Sequence, residues 1–110
     1  NFAGALPVWL SPVQAKVIPV SNAFDDYAND VHKQLLEAGV NAEVDLRNEK
    51  LGYKIREGQL AKLPYMLIVG ENEQRDASVA VRLRGKGDIG QQKLSDFIAN
   101  VTQEIREKRV

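Results

Sequence analysis

Residues 44–64 read VDLRNEKLGYKIREGQLAKLP, and the fold can be worked out from this stretch. A short apolar strand leads into the polar turn DLRNEK, a helix with several basic residues follows, and Pro64 stops that helix before the next strand. The pattern predicts a strand-to-helix junction with hydrogen-bonding side chains at its mouth. Open α/β sheets bind ligands outside the carboxyl ends of their strands, so this junction is the first candidate for a functional site.

Regular patterns on both sides of the junction predict the other elements. Four segments have the composition or the alternation of β-strands, namely residues 13–20, 40–46, 65–69 and 79–83. Apolar residues at three- and four-residue spacing predict helices over residues 24–38 and 94–105, in addition to the helix after Asn48. Residues 71–76 are polar and predict a loop.

The order of these elements predicts the fold class. The sequence β-α-β-α-β-β-α favours an α/β protein with a mostly parallel sheet covered by helices on both faces. The connection from residue 70 to residue 78 is too short for a parallel crossover, so one strand must run antiparallel. A further short strand is expected near residues 88–91.

Length and composition limit the possible functions. With 110 residues, 44% of them hydrophobic, the chain suits one compact domain. It has no cysteine and one histidine, which argues against disulfides and against a zinc centre. No apolar run approaches the roughly 20 residues of a membrane helix. We therefore expect a soluble, cytoplasmic protein with no membrane partner.

The first residues have a different character from the rest. Residues 1–12 contain Gly4, Pro7 and Pro12 around Trp9 with little periodicity, so we predict a linker there and a domain over residues 13–110. The chain begins with Asn1 rather than methionine, which suggests a domain of a longer polypeptide. Proteolysis or a trimmed tag would explain the same observation.

Charge is balanced overall but unevenly distributed. The chain has 15 basic and 15 acidic residues. Between positions 47 and 86 nine basic residues face five acidic ones; the basic residues are Arg47, Lys50, Lys54, Arg56, Lys62, Arg75, Arg82, Arg84 and Lys86. Such segregation predicts a basic face that could bind an RNA backbone, although ordinary solvated charge explains it equally well. With the polar turn of residues 45–50, it favours a domain that reads single-stranded RNA bases.

A glycine motif offers a competing interpretation. Residues 85–90 read GKGDIG, which matches the G-x-G-x-x-G pattern of dinucleotide-binding proteins. That motif should open a βαβ unit, but only one helix remains before the chain ends. We therefore expect these glycines to form a tight turn and an edge strand, and no pair of catalytic groups accompanies them.

Four segments resemble a known family. Residues 7–14 (PVWLSPVQ), 45–57 (DLRNEKLGYKIRE), 63–70 (LPYMLIVG) and 79–82 (VAVR) are similar to the C-terminal anticodon-binding domain of bacterial threonyl-tRNA synthetase. The resemblance spans nearly the whole chain in the same order. It implies a three-layer α/β/α fold with three helices and a five-stranded mixed sheet in the order 2-1-3-4-5, with strand 4 antiparallel.

The resemblance also implies a function and partners. The domain would be non-catalytic and would read the G and U of threonine anticodons, so that the parent ligase attaches threonine to its tRNA. ATP and zinc would belong to a catalytic domain of the same polypeptide, and no cofactor is expected in this domain. The parent would be a homodimer. The same fold also serves as an accessory or dimerisation module, which remains the alternative.

The family's RNA contacts map onto five positions of this sequence. They are Asn48, Lys50, Lys62, Glu73 and Arg82. A carboxylate can accept both N–H donors on the Watson–Crick edge of guanine, and an amide can donate to and accept from uracil. The family often has arginine at position 62, and lysine keeps the charge but loses the planar fork. Without the resemblance, each of these residues could equally be a helix cap or a surface charge.

Overall fold

The structure is a computed structural model that describes residues 5–109. Within this range the chain forms five strands and four α-helices. In chain order they are β1 (Ala15–Pro19), α1 (Asp25–Glu37), β2 (Ala42–Val44), α2 (Leu51–Leu60), β3 (Tyr65–Val69), α3 (Glu71–Asp76), β4 (Ser78–Leu83), β5 (Gly87–Lys93) and α4 (Leu94–Arg106). Short 3-10 helices at Val8–Leu10 and Asn22–Phe24 precede β1 and α1.

The five strands form one mixed sheet in the order β2-β1-β3-β4-β5. β1 pairs in parallel with β2 and β3, whereas β4 pairs antiparallel with β3 and β5. The three long helices α1, α2 and α4 lie on the two faces of this sheet. The predicted fold class, strand order and antiparallel fourth strand are therefore confirmed.

Helices α1 and α4 cover one face of the sheet. Alternate residues of β1, β3 and β4 point towards them, because successive side chains of a strand point to opposite faces. The core contains Ala15, Val17, Leu67, Val69, Val79 and Val81 from the strands, with Ala28, Val31, Leu35, Leu94, Phe97 and Val101 from the helices. The apolar stripes of both helices pack into this core.

Helix α2 covers the other face and has the least regular apolar pattern. Its buried residues are Lys54 and Gly58. Gly58 lies so close to β3 that a Cβ atom at this position would overlap the sulfur of Met66. The irregular pattern therefore reflects a close helix-to-sheet contact and a buried charge instead of an apolar stripe.

The segment predicted as a polar loop is helical. Residues 71–76 form α3, and the prediction of a loop is wrong. The side chain of Glu73 accepts a hydrogen bond from the Gly70 main-chain N–H, with 2.8 Å between Oε1 and N. This bond satisfies one of the N–H groups that a helix start leaves unpaired. Ala77 then adopts a left-handed conformation (φ 52°), which ends α3 and turns the chain into β4.

The start of α2 also differs from the prediction of a helix directly after Asn48. Asn48 lies in a bend before the helix, and Lys50 is the N-cap residue with an extended conformation. The polar segment after β2 is thus longer than the sequence pattern indicates. One reason is that Asp45 binds both the main-chain N–H and the guanidinium of Arg47, which holds the segment in a non-helical turn.

The glycine motif forms a turn and an edge strand, as expected. The Lys86 main-chain N–H donates to the Leu83 carbonyl over 2.9 Å, which closes the turn between β4 and β5. Gly85 and Gly87 have φ angles of 84° and 81°, which disfavour other residues. The next helix begins only at Leu94, so the motif does not open a βαβ unit.

The segment before β1 packs onto the domain. Val8 is buried, and the Gln14 side chain bridges two segments: it donates to the Val8 carbonyl (3.0 Å) and accepts from the Asn41 N–H (2.8 Å). The Lys108 ammonium lies 5.4 Å from the centre of the Trp9 ring. Residues 1–4 of the predicted linker lie outside the described residues, and the domain boundary at position 12 stays a prediction.

Candidate nucleic-acid interface

The five predicted site residues lie at two ends of the sheet. Asn48 and Lys50 follow β2, and Glu73 follows β3, so these three lie at the carboxyl ends of the parallel strands. Lys62 precedes β3, and Arg82 pairs with Met66 near the other end of β3. A strand of five residues is about 16 Å long. The structure therefore places these residues at two ends of the sheet and does not bring them into a single pocket.

The turn that carries Asn48 is held by Asp45. The carboxylate of Asp45 receives hydrogen bonds from Arg47 Nε (2.9 Å to Oδ1), Arg47 Nη2 (2.8 Å to Oδ2) and the Arg47 main-chain N–H (3.2 Å to Oδ1). These bonds lower the pKa of Asp45 to about 2 against the opposing effect of burial. Asn48 and Lys50 remain exposed beyond this anchored residue.

Several of the nine basic residues between positions 47 and 86 are engaged inside the domain, and Arg84 is one of them through hydrogen bonds to main-chain carbonyls. Arg47 binds Asp45 and also forms an ion pair with Glu57. Lys54 lies 3.9 Å from the carboxylate of Asp45, and Arg75 lies 3.1 Å from that of Asp76. Fewer basic side chains are therefore available to bind RNA than the count of residues predicts.

Glu73 has a carboxylate whose direction is set by the main chain. Its Oε1 accepts from the Gly70 N–H over 2.8 Å. A carboxylate oxygen has two lone pairs, so this bond orients the group and leaves acceptor capacity for a ligand.

Nearby, burial and then the charges of Asp30 and Glu73 raise the pKa of Tyr27 to about 12. The Tyr27 hydroxyl donates to the Ser78 carbonyl over 2.7 Å, which joins α1 to the start of β4.

Arg82 is half-buried and faces a small cavity of about 90 Å³ between the end of α2 and the β4–β5 turn. The cavity is lined by Gln59, Leu63, Met66, Arg82, Leu83, Arg84, Gly85 and Gly87. The Nε of Arg82 is buried and has no hydrogen-bond partner within residues 5–109. An unpaired buried donor is costly, which makes this guanidinium a candidate for a contact with a carbonyl or phosphate oxygen.

Lys62 has an unusual backbone conformation. Its φ angle is 57°, in the left-handed region that glycine adopts most readily. The Lys62 N–H bonds to the Gln59 carbonyl and the Leu63 N–H bonds to the Gly58 carbonyl, over 3.0 and 3.1 Å. This is the Schellman arrangement that ends a helix. The position of Lys62 is therefore fixed by the end of α2.

Arg84 connects the end of α2 to the segment before β1, and the sequence does not single it out for this role. Its guanidinium donates to the Lys62 carbonyl (Nη1, 2.9 Å) and to the Leu6 carbonyl (Nη2, 2.7 Å). Both acceptors are main-chain atoms, 22 and 78 positions away in the chain. No side-chain pattern encodes such contacts, so only the folded structure reveals them.

The described part of the chain contains neither a cluster of metal ligands nor a membrane-spanning helix. Within residues 5–109, no three or more acidic or histidine side chains are grouped so that they could hold a metal ion. In the same range, no helix has both the length and the apolar character needed to cross a membrane.

Solved structures place this fold in a class. The strand order and helix arrangement are those of the anticodon-binding domains of aminoacyl-tRNA synthetases. The chain belongs to the anticodon binding domain family, which matches residues 14–104. The resemblance seen in the sequence is thereby confirmed, and the matched family is a binding domain.

Curated relatives show which aminoacyl-tRNA synthetases this chain is similar to. The chain is 55% identical over 108 residues to a threonine–tRNA ligase of Clostridioides difficile (strain 630), covering 98% of this chain and 17% of the relative. It is 53% identical over 109 residues to that of Carboxydothermus hydrogenoformans (strain ATCC BAA-161 / DSM 6008 / Z-2901), covering 99% of this chain and again 17% of the relative. The chain thus spans about one-sixth of the length of these curated relatives.

Two solved structures superpose well on this chain. The RNA binding domain of threonyl-tRNA synthetase from Cryptosporidium parvum Iowa II superposes with a TM-score of 0.86 and 37% identity, covering 94% of this chain and 26% of that chain. A prolyl-tRNA synthetase from Cryptosporidium parvum reaches a TM-score of 0.81 at 23% identity, over 94% of this chain and 22% of that chain. The second likeness concerns the fold alone.

Proposed function

We propose that this domain reads the anticodon of threonine tRNA on behalf of a threonine–tRNA ligase. The observation that carries the proposal is the 55% identity to a threonine–tRNA ligase over 98% of the chain, of which residues 14–104 match an anticodon binding domain. The domain itself supplies selectivity and no chemistry. It contributes base contacts that only the correct tRNA can satisfy.

Two base assignments follow from side-chain chemistry. Glu73 accepts the two N–H donors of guanine, because its carboxylate is held at the end of β3 with acceptor capacity to spare. Asn48 pairs with uracil, because one amide can both donate and accept. Lys50, Lys62 and Arg82 contact phosphates or base carbonyls, with Arg82 directed at the cavity beside the β4–β5 turn.

The placement at two ends of the sheet supports reading of an unstacked loop. Single-stranded bases recognised by proteins are splayed out and bound one by one. Asn48 follows β2 and Glu73 follows β3, with β1 between these two strands, while Arg82 lies near the other end of β3. A loop that contacts all three residues would therefore have to extend between the two ends of the sheet.

The rest of the proposal concerns the longer protein. Residues 1–12 connect the binding domain of residues 13–110 to a catalytic domain in the same polypeptide. That catalytic domain uses ATP and holds zinc, and the parent enzyme is a cytoplasmic homodimer. The low share of the curated relatives covered by this chain leaves room for such a domain.

Binding of an isolated anticodon stem-loop tests the function. We expect the threonine stem-loop to bind the 110-residue chain with an affinity that falls as salt rises, because phosphate contacts release counterions. A stem-loop with the same stem and a scrambled loop serves as the control and should bind more weakly at each of two salt concentrations. Equal binding of both stem-loops would contradict the proposal.

A further inference from the structure

We propose that Asp45, Arg47 and Lys54 are positioning residues that hold residues 45–50, the recognition turn, in the conformation that presents Asn48 to its base. This inference rests on the proposed function. The structure supports it with a set of contacts that join the recognition turn to β1 and to two successive turns of α2. None of the three side chains is required to touch RNA for this role.

The first contact connects the beginning of the recognition turn to α2. Lys54 Nζ donates to the Asp45 main-chain carbonyl over 3.0 Å and lies 3.9 Å from Asp45 Oδ1. Lys54 is only 4% exposed, and its own main-chain N–H bonds to the Lys50 carbonyl over 3.1 Å. One residue therefore contacts both ends of the recognition turn. The distance between these ends is fixed as a result.

The second contact passes through Arg47. Its guanidinium makes two hydrogen bonds to the carboxylate of Asp45 and forms an ion pair with Glu57 of α2. Glu57 lies one helical turn beyond Lys54, so α2 holds the recognition turn at two levels. Arg47 immediately precedes Asn48, and its fixed side chain limits the orientations open to that residue.

The sheet completes the anchor. The Asp45 N–H donates to the Val17 carbonyl over 2.9 Å, and Lys16 Nζ lies 4.0 Å from Asp45 Oδ2. Asp45 is 5% exposed, so its charge is buried among three basic groups. Burying such charges is costly, and apolar residues of similar volume often give equal or greater stability. A gain in stability does not explain why these charges are buried. A need to hold the recognition turn in one conformation does explain it.

The burial of Lys54 separates this role from phosphate binding. A lysine that attracts an RNA backbone must reach solvent, whereas nearly all of the surface of Lys54 is covered by the domain. Removal of Lys54 should therefore change selectivity at the base read by Asn48 more than it changes overall attraction. Arg56 of the same helix is exposed and provides a comparison in which only attraction should change.

The test measures two discrimination ratios for the 110-residue chain. One ratio compares the threonine stem-loop with a stem-loop whose U is replaced, and the other compares it with a stem-loop whose G is replaced. For Lys54→Met we expect the U ratio to fall at least fivefold towards one, with the G ratio within twofold of wild type. Arg56→Met should weaken every stem-loop and leave both ratios within twofold of wild type.

Two more variants keep the test decisive. Arg47→Lys retains the charge but loses the two-pronged bond to Asp45, so it should lower the U ratio even if Lys54→Met fails to fold. The double variant Asn48→Ala/Lys54→Met should show no lower U ratio than Asn48→Ala alone, because both substitutions remove the same contact. Additive losses would contradict the proposal.

The remaining outcomes also distinguish the hypotheses. If the folded variants keep the wild-type U ratio, or lose the U and G ratios equally, the three residues do not position Asn48 and the proposed function stands. If the wild-type chain itself has ratios near one, the proposed function fails, and the positioning role fails with it.

Discussion

Gly58 of α2 lies against the sulfur of Met66 in β3, and a Cβ atom on residue 58 would overlap that sulfur unless the Met66 side chain moved. This contact determines how closely α2 approaches the sheet. The position of α2 in turn determines where the recognition turn meets the start of the helix. It also determines where Lys62 lies after the end of the helix. A single glycine thus affects both ends of the candidate interface.

Gly58→Ala should destabilise the domain. The added methyl overlaps Met66, and overpacking of this kind costs about 1–3 kcal/mol. A methyl group added at Gly52 of the same helix would meet no atom within 4 Å, so Gly52→Ala should instead stabilise by about 0.5–1 kcal/mol. Urea unfolding of the two variants measures the difference. Equal effects of the same sign would show that the Met66 contact does not limit the approach of α2.

Glu73 has two roles that substitutions can separate. Glu73→Gln keeps an oxygen that can accept from the Gly70 N–H but loses the carboxylate needed for two guanine donors. We expect its thermal stability to stay near wild type while discrimination at G is lost. Glu73→Ala should lose discrimination and also about 0.5–1 kcal/mol of stability, since the start of α3 is left unpaired. Unchanged discrimination in both variants would remove Glu73 from the interface.

The ion cluster at Asp45 predicts a dependence of stability on acid. The pKa of Asp45 is about 2 in the folded chain, below the ordinary value of 3.8. The unfolded chain therefore takes up this proton first as the pH falls. The contribution to the free energy of unfolding is complete above about pH 4 and is lost towards pH 2. Urea unfolding at several pH values should show a shallower decline for Asp45→Asn. An identical decline in both proteins would contradict the assignment.

Substitutions of Lys62 separate the effect of its backbone strain on stability from the effect of its charge on RNA binding. A residue other than glycine in the left-handed conformation costs about 1 kcal/mol, so Lys62→Gly should stabilise the fold by about 0.5–1 kcal/mol. The same change removes a positive charge and should weaken all stem-loops by a similar factor. Lys62→Ala should weaken binding equally without the gain in stability. Loss of selectivity at one base would assign Lys62 a base contact in place of a phosphate contact.

The layers of the fold follow from local patterns in the sequence. Residues such as Val17 and Leu35 lie in runs whose periodicity alone assigns them to a strand and a helix, and both are buried. The order of the strands is different, because it depends on which edges pair across the chain. Here it comes from the family resemblance. Helix α3 is missed because six polar residues have no apolar period, and one bond from Gly70 to Glu73 marks its start.

The candidate site is predictable in its residue types but not in its arrangement. A sequence counts Lys54 as one more surface charge, and only the approach of α2 to the sheet shows that it is buried beside Asp45. The burial of the unpaired Nε of Arg82 is likewise visible only in the folded structure. Contacts between distant main-chain atoms, such as those of Arg84, leave no trace in a local pattern.

The most direct test of the central claim is a titration of the 110-residue chain with threonine anticodon stem-loops that differ by single bases. Replacement of the G or of the U should each cost about 1–3 kcal/mol of binding free energy, as for other base-edge contacts. Replacement of a stem base pair by its reverse should cost little. If all these stem-loops bind with the same affinity, the domain does not read the anticodon.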